Sequence, residues 1–225
     1  MGAHRYFSDE TFRFFRDLKE NNDREWFAEN KHRYESHVKA PALHLIEDFG
    51  SELQHISPHF KATPRSLFRI YRDTRFSKDK TPYKTAAGVH FRHDRAKDAH
   101  APGFYFHVAP REVFLGIGIW HPPGDALKAI RAHIVEHPEE WKRVSRAKRF
   151  TNEFSLEGES LKRAPRDFDA EHPHVEDLKR KDFIGVRNVK QDFATQADLP
   201  KALAKSYKSG SDFMAFLCDA LGVPF

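Results

Sequence analysis

The stretch from Arg69 to Lys84 gathers the residue types best suited to holding an anion. Arg69, Arg72 and Arg75 alternate with Tyr71, Asp73 and Phe76. Lys78, Asp79 and Lys80 follow, and Thr81-Pro82-Tyr83-Lys84 closes the run. A guanidinium is a planar fork that binds phosphate or carboxylate through paired, charge-assisted hydrogen bonds. An apolar strand does not need such groups, because strand positions usually go to β-branched and aromatic residues. The alternative is an internal ion-pair network, with the arginines matched to Asp73, Asp79 and the acidic first helices. Both readings stand at the level of sequence, and for Lys78, Lys80 and Lys84 a solvated loop is the simpler one.

Four segments in the middle third read as strands: Ser66 to Arg72, Ala87 to Arg92, Phe104 to Val108 and Val113 to Ile119. Side chains alternate between the two faces of a strand, so each segment can be sorted. Phe68, Ile70, Val89, Phe91, Phe104, Phe106, Val108, Val113, Leu115, Ile117 and Ile119 form an apolar set that must pack on helices. The opposite set is Arg69, Tyr71, Asp73, His90, Arg92, Tyr105 and His107, with Phe114, Gly116 and Gly118 beside them and Trp120 at the rim. With the strands as neighbours, this predicts a cationic hollow with aromatic walls and a glycine floor open to a ligand.

The expected ligand-binding residues are therefore Arg69, Tyr71, Arg72, Asp73, Arg75, Lys80, Tyr83, Tyr105 and Trp120. Arg72 points to the apolar side if the first strand runs through it. His107 and His90 are the candidates for a general acid or base near neutral pH. The same two imidazoles with Asp73 offer a metal arrangement, but none of the Cys/His spacings typical of zinc occurs and no helical His-Glu-x-x-His is present. No metal is expected, and no cofactor is identified. A Gly-x-x-x-x-Gly-Lys-Ser/Thr loop, a Gly-x-Gly-x-x-Gly fingerprint and a Gly-x-Ser-x-Gly elbow are all absent. Nucleotide-triphosphate and serine-hydrolase chemistry of the familiar kinds is disfavoured.

The elements that must position these residues begin with helices. Ser8 before Asp9 and Glu10 marks a helix start, with Phe12, Phe15 and Leu18 at helical spacing and a stop at Asn21-Asn22. Asn22, with Glu25 three residues on, reads as the cap of a second helix striped by Trp26, Phe27, Tyr34 and Val38. Pro41 suits the first turn of a third, carrying Leu43, Leu45, Ile46, Phe49 and Leu53 to about Ser57. Ala109-Pro110-Arg111-Glu112 is short enough to join two antiparallel strands. His121 ends the last of them. The polar stretch His93 to Pro102 reads as a solvated loop. Further helices are expected over Ala126–Glu136, from Pro138 to about Phe150, over Leu199–Tyr207 and over Ser211–Leu221, with another strand at Asp182–Val189.

Helices, then a run of strands, then helices predict one α+β domain over residues 1–225. Its central, largely antiparallel sheet would have about four to six strands, packed by N-terminal and C-terminal helices. The chain has 225 residues, 39% hydrophobic and 32% charged, with 21 Phe, enough for a substantial core. The net charge is +5, which is compatible with phosphate or nucleic acid but is also an ordinary value for solubility. The single cysteine, Cys218, excludes an internal disulfide, and its apolar neighbours mark a buried thiol. No apolar segment has the length of a signal core or a membrane span, so a cytoplasmic protein is expected.

Several motifs together resemble one family. They are Arg69-x-x-Arg72-Asp73-x-Arg75-Phe76, Lys80-Thr81-Pro82-Tyr83-Lys84, and Phe12 to Asn22 with Asp23-Arg24-Glu25-Trp26-Phe27. Gly103-Phe104-Tyr105-Phe106-His107, Gly116-Ile117-Gly118-Ile119-Trp120 and Leu161-Lys162-Arg163-Ala164-Pro165 complete the set. The chain is similar over most of its length to the bacterial domain of unknown function 2461 family. The resemblance implies a widespread single-domain bacterial protein with fungal relatives in longer chains. It implies no activity, and no catalytic residue follows from it.

Three functions remain on these grounds. The first is binding of a phosphate-bearing or otherwise anionic small molecule on the sheet face. The second is hydrolysis of a phosphoester, with His107 or His90 as acid/base and the arginines stabilising charge. The third is a single-stranded nucleic-acid-binding module.

Overall fold

The computed structural model describes residues 5–95 and 101–225. Its centre is a six-stranded antiparallel sheet in the order β1-β2-β3-β4-β6-β5. The strands are β1 (Phe60–Lys61), β2 (Ala87–His93), β3 (Gly103–Ala109), β4 (Glu112–Ile119), β5 (Ser155–Glu157) and β6 (Phe183–Val189). The expected α+β class holds. β3 and β4 form the anticipated hairpin, with Ala109 opposite Glu112. Pro110 and Arg111 make the reversal, Arg111 lying in the left-handed region at φ 66°.

One face of the sheet is the floor of the core. Val89, Phe91, Phe104, Phe106, Val108, Leu115 and Ile119 are fully buried there. They are covered by α1 (Asp9–Glu20), α3 (Ala40–Ile56), α9 (Leu199–Ser209) and α10 (Ser211–Ala220). Phe49 of α3 meets Phe91 with ring centroids 4.7 Å apart, and Tyr207 of α9 meets Phe104 at 5.0 Å. Cys218 is buried in α10, and burial pushes its thiol up to about 12, which leaves it un-ionised as the sequence suggests. On the flank, Trp141 of α5 (Pro138–Arg146) is fully buried and donates its indole N–H to buried Asp177 at 2.8 Å.

The second and third helices are one continuous rod. α2 (Arg24–Tyr34) runs through a π-helical turn, Glu35–Lys39, into α3. Pro41 explains the turn: proline has no N–H, so the carbonyl four residues earlier loses its usual helical donor. That carbonyl belongs to His37, and the buried Thr11 hydroxyl of α1 donates to it at 2.6 Å. The chain stays helical because a neighbouring helix replaces the missing bond.

Several expectations are corrected. Ser66–Arg72 is not a strand. A 3-10 turn, Pro64–Ser66, leads into an irregular run that touches the sheet edge only by the isolated bridge Leu67↔Val89. It then pairs with its own continuation through Tyr71↔Tyr83, Arg72 N–H to Pro82 carbonyl and Lys84 N–H to Ile70 carbonyl. Pro82 has no N–H to return, so the ladder cannot lengthen. The helix expected from Pro138 breaks at Ala147, whose ψ is 133°, and resumes as the single turn Lys148–Thr151. Strands β1 and β5 and the short helices Val175–Leu178 and Gln191–Thr195 lacked enough residues to show a period. Part of the predicted loop His93 to Pro102, residues 96–100, lies outside the described residues. Among those described, no helix is long and apolar enough to cross a membrane.

Gly118 carries a local requirement in this frame. Its φ is +113°, and a β-carbon there would lie 2.0 Å from the Phe183 carbonyl oxygen of β6. Gly118→Ala is expected to cost roughly 3 kcal/mol or more, through left-handed strain and a backbone clash. Gly116→Ala, whose new methyl would meet only the Tyr105 side chain, at 3.5 Å or more, should stay near wild type. Denaturant unfolding of the two proteins compares them directly.

Candidate functional site

The register of the strands puts three rows of side chains on the face away from the helices. One row runs Gly88, His107, Phe114 and Asn188, and the next runs His90, Tyr105, Gly116 and Val186. The third runs Arg92, Gly103, Gly118, Ile184 and Glu157. Three glycines fall in adjacent strands of this face and leave a depression. The result is a cavity of about 670 Å³ with Gly103, Gly116 and Gly118 in its floor and Phe68, Tyr105, Phe114 and Trp120 among its walls. Glu112 and Glu157 also line it, and among the described residues no lysine or arginine does.

The imidazole and phenol groups of the cavity are neutral at physiological pH. His90 is buried, and desolvation, helped by the Arg92 charge, holds its imidazole down at about 4. Its Nδ1 has no hydrogen-bond partner among the described residues, and its ring occupies the space that a side chain at Gly103 would need. His107 is lowered by burial, with Glu112 opposing. Tyr105 is pushed up to about 12 by burial, then by Glu112. The Tyr105 hydroxyl lies 3.1 Å from His107 Nδ1. With the phenol donating, the His107 proton sits on Nε2. The His107 ring stacks on Phe114 at 4.6 Å and 11°, which fixes its plane.

The arginine-rich run forms a separate lobe, and most of its charge partners are internal. Arg72 pairs with Asp79 at 2.5 Å and also donates to the Thr81 hydroxyl. Arg75 pairs with Asp73 at 2.7 Å. Both carboxyls are held down at about 2: Asp73 chiefly by the Arg75 guanidinium, Asp79 first by the Thr81 backbone N–H and then by Arg72. Lys80 donates to the Thr74 carbonyl and Lys84 to the Arg69 carbonyl. The lobe is clamped to the helices at Tyr83. Asn22 donates to the Tyr83 carbonyl at 2.9 Å and accepts from its N–H at 3.0 Å, while the Phe27 ring stacks on Tyr83 at 4.0 Å. Asn22 is therefore not the cap of α2. Asp23 caps it, accepting from Trp26 N–H.

Of the residues singled out by sequence, His90, His107, Tyr105 and Trp120 come together at the cavity. Arg69, Tyr71, Arg72, Asp73, Arg75, Lys80 and Tyr83 do not line it. Arg69 and Tyr71 are exposed on the lobe, and the Asp73 carboxylate faces Arg75 rather than the two histidines. Phe68, assigned to the apolar face, lies over the open one beside His90 and Tyr105. Its backbone is not a strand, so alternation does not apply to it. Sequence reasoning also missed Asp182. This buried carboxylate accepts the backbone N–H groups of His121 and Glu159 and thereby pins the strand ends at the cavity rim.

A family model described as a conserved hypothetical protein, DUF2461, matches residues 10–216. The chain belongs to that family. No curated protein and no solved structure matches it. The matched span takes in the whole DUF2461 lobe, its Asn22 clamp and the four strands under the cavity.

Two consequences can be measured. Breaking the clamp with Asn22→Ala removes two hydrogen bonds and should destabilise the DUF2461 chain by about 1–3 kcal/mol, with limited proteolysis showing first cleavage inside residues 69–84. His90 binds a proton on unfolding at pH values where the folded ring stays neutral. Its contribution is thus complete above pH 6.5 and lost as pH falls toward about 4. The full loss is on the order of 3 kcal/mol, and melting curves of His90→Asn should lack this part of the acid dependence.

Proposed function

We propose that the open sheet face binds a small planar organic molecule that is uncharged or cationic. The observation that carries this reading is the composition of the cavity: aromatic walls, a glycine floor, neutral imidazole and phenol groups, and two carboxylates as its charged lining residues among those described. Apolar concave sites with a few oriented polar groups are the usual form of small-molecule pockets. A ring lying on Gly116 and Gly118 would be flanked by Tyr105 and Phe114, while His107 supplies a hydrogen bond at its edge. The phosphate-bearing ligand expected from the arginines has less support, because those guanidiniums lie in the lobe and two are already paired. Phosphoester hydrolysis rests only on the Tyr105–His107 contact, with no arginine lining the cavity to stabilise developing charge.

Thermal-shift measurements against matched sets of heteroaromatic compounds test the proposal. Neutral and amine-bearing members should raise the melting temperature; saturation at about 100 times Kd corresponds to about 2.7 kcal/mol. Gly116→Leu fills the floor and should abolish the shift while leaving unliganded stability intact. Binding confined to carboxylate- or phosphate-bearing members, or binding that persists in Gly116→Leu, would overturn the reading.

A further inference from the structure

The cations that the cavity does not use are concentrated in one place. Residues 64–84 contain Arg65, Arg69, Arg72, Arg75, Lys78, Lys80 and Lys84 against Asp73 and Asp79, a net charge of +5. The whole chain also carries +5, so everything outside this segment sums to zero. Arg72 and Arg75 are neutralised within the lobe. The remaining five have no carboxylate partner among the described residues, and the bonds of Lys80 and Lys84 to carbonyls orient their ammonium groups without cancelling charge.

The lobe also exposes aromatic rings between those charges. Phe76 is 95% exposed and Tyr71 58% exposed, in a protein that buries most of its Phe side chains. The Arg75 guanidinium lies 5.7 Å from the Phe76 ring centroid, a cation–π contact that presents ring and charge together. No helix or ribbon projects from the lobe to enter a duplex groove; its regular structure is one 3-10 turn and two isolated bridges. Cations interleaved with bare rings match the alternation of phosphate and base in an extended strand.

We propose that the lobe of residues 64–84 is a docking site for single-stranded nucleic acid. Its phosphates lie against Arg65, Arg69, Lys78, Lys80 and Lys84, and its bases stack on Phe76 and Tyr71. The site is distinct from the sheet-face cavity and does not depend on what that cavity holds.

Fluorescence anisotropy of a labelled oligothymidylate of about twenty nucleotides, titrated with the full chain, provides the test. Five phosphate contacts give a slope of log K against log salt near −3.5, or about a 100-fold loss between 50 and 200 mM salt. Lys78→Gln with Lys80→Gln should flatten the slope by about 1.4. Phe76→Ala should weaken binding by about 5- to 150-fold and leave the slope alone. All three positions are exposed, so these variants should melt as wild type does, and Gly116→Leu should bind the oligonucleotide normally. Absence of binding at about 50 mM salt overturns the proposal. So does binding unaffected by either variant, or capture by phosphatidylserine vesicles without any oligonucleotide binding.

Discussion

The two-residue period of the four long strands is the constraint on which the rest of the structure depends. β2, β3, β4 and β6 are in register, so a residue type chosen for one strand lands beside a definite partner on the next. On the inner face that rule assembles a continuous apolar floor, which the helices bury. On the outer face the same rule aligns Gly103, Gly116 and Gly118 across adjacent strands, and no helix among the described residues covers them. A one-residue slip in any strand would send phenylalanines into solvent and glycines into the core. The cavity is thus a by-product of the pairing that makes the core, and it is as rigid as that pairing.

Burial sets the chemistry of this face. His90, His107 and Tyr105 all titrate in the direction that disfavours charge, and desolvation is the leading cause in each. The cavity is therefore polar without being charged by these groups. The lobe obeys the opposite condition. It is solvated, its carboxylates are held ionised by arginine and backbone N–H groups, and its surplus charge is positive. Two environments with opposite preferences sit side by side, and Phe68 joins them. Its ring is part of the cavity wall, and the Lys84 ammonium of the lobe lies 5.4 Å from the ring centroid.

The lobe holds its shape although it lacks a core of its own. The paired bonds from Asn22 imitate a strand partner for Tyr83, and the Phe27 ring fixes the tyrosine from the other side. A similar substitution occurs at Thr11, whose hydroxyl takes the place of the N–H that Pro41 lacks. In both cases a side chain from a distant part of the chain completes a backbone hydrogen bond that the local segment cannot make.

The long elements were legible in the sequence because their periods are strong. Val89 and Phe91, Phe104 and Phe106, Leu115 and Ile117 declare strands and a buried face, and the open set of His90, Tyr105, His107, Gly116 and Gly118 follows by alternation. Those residues reach the cavity as expected. Alternation failed around Phe68–Lys84, where apolar and charged residues mix over a run that pairs mainly with itself, so Phe68 lies over the open face and Arg69 is exposed on the lobe away from the cavity. The choice between Asn22 and Asp23 as helix cap, and between a receptive and a self-neutralised arginine, depends on what lies across a gap of tens of residues. Local chemistry determined which groups could hydrogen-bond or pair; only the folded chain decided which partner was within reach, because such bonds form over about three ångströms and sequence carries no such distance.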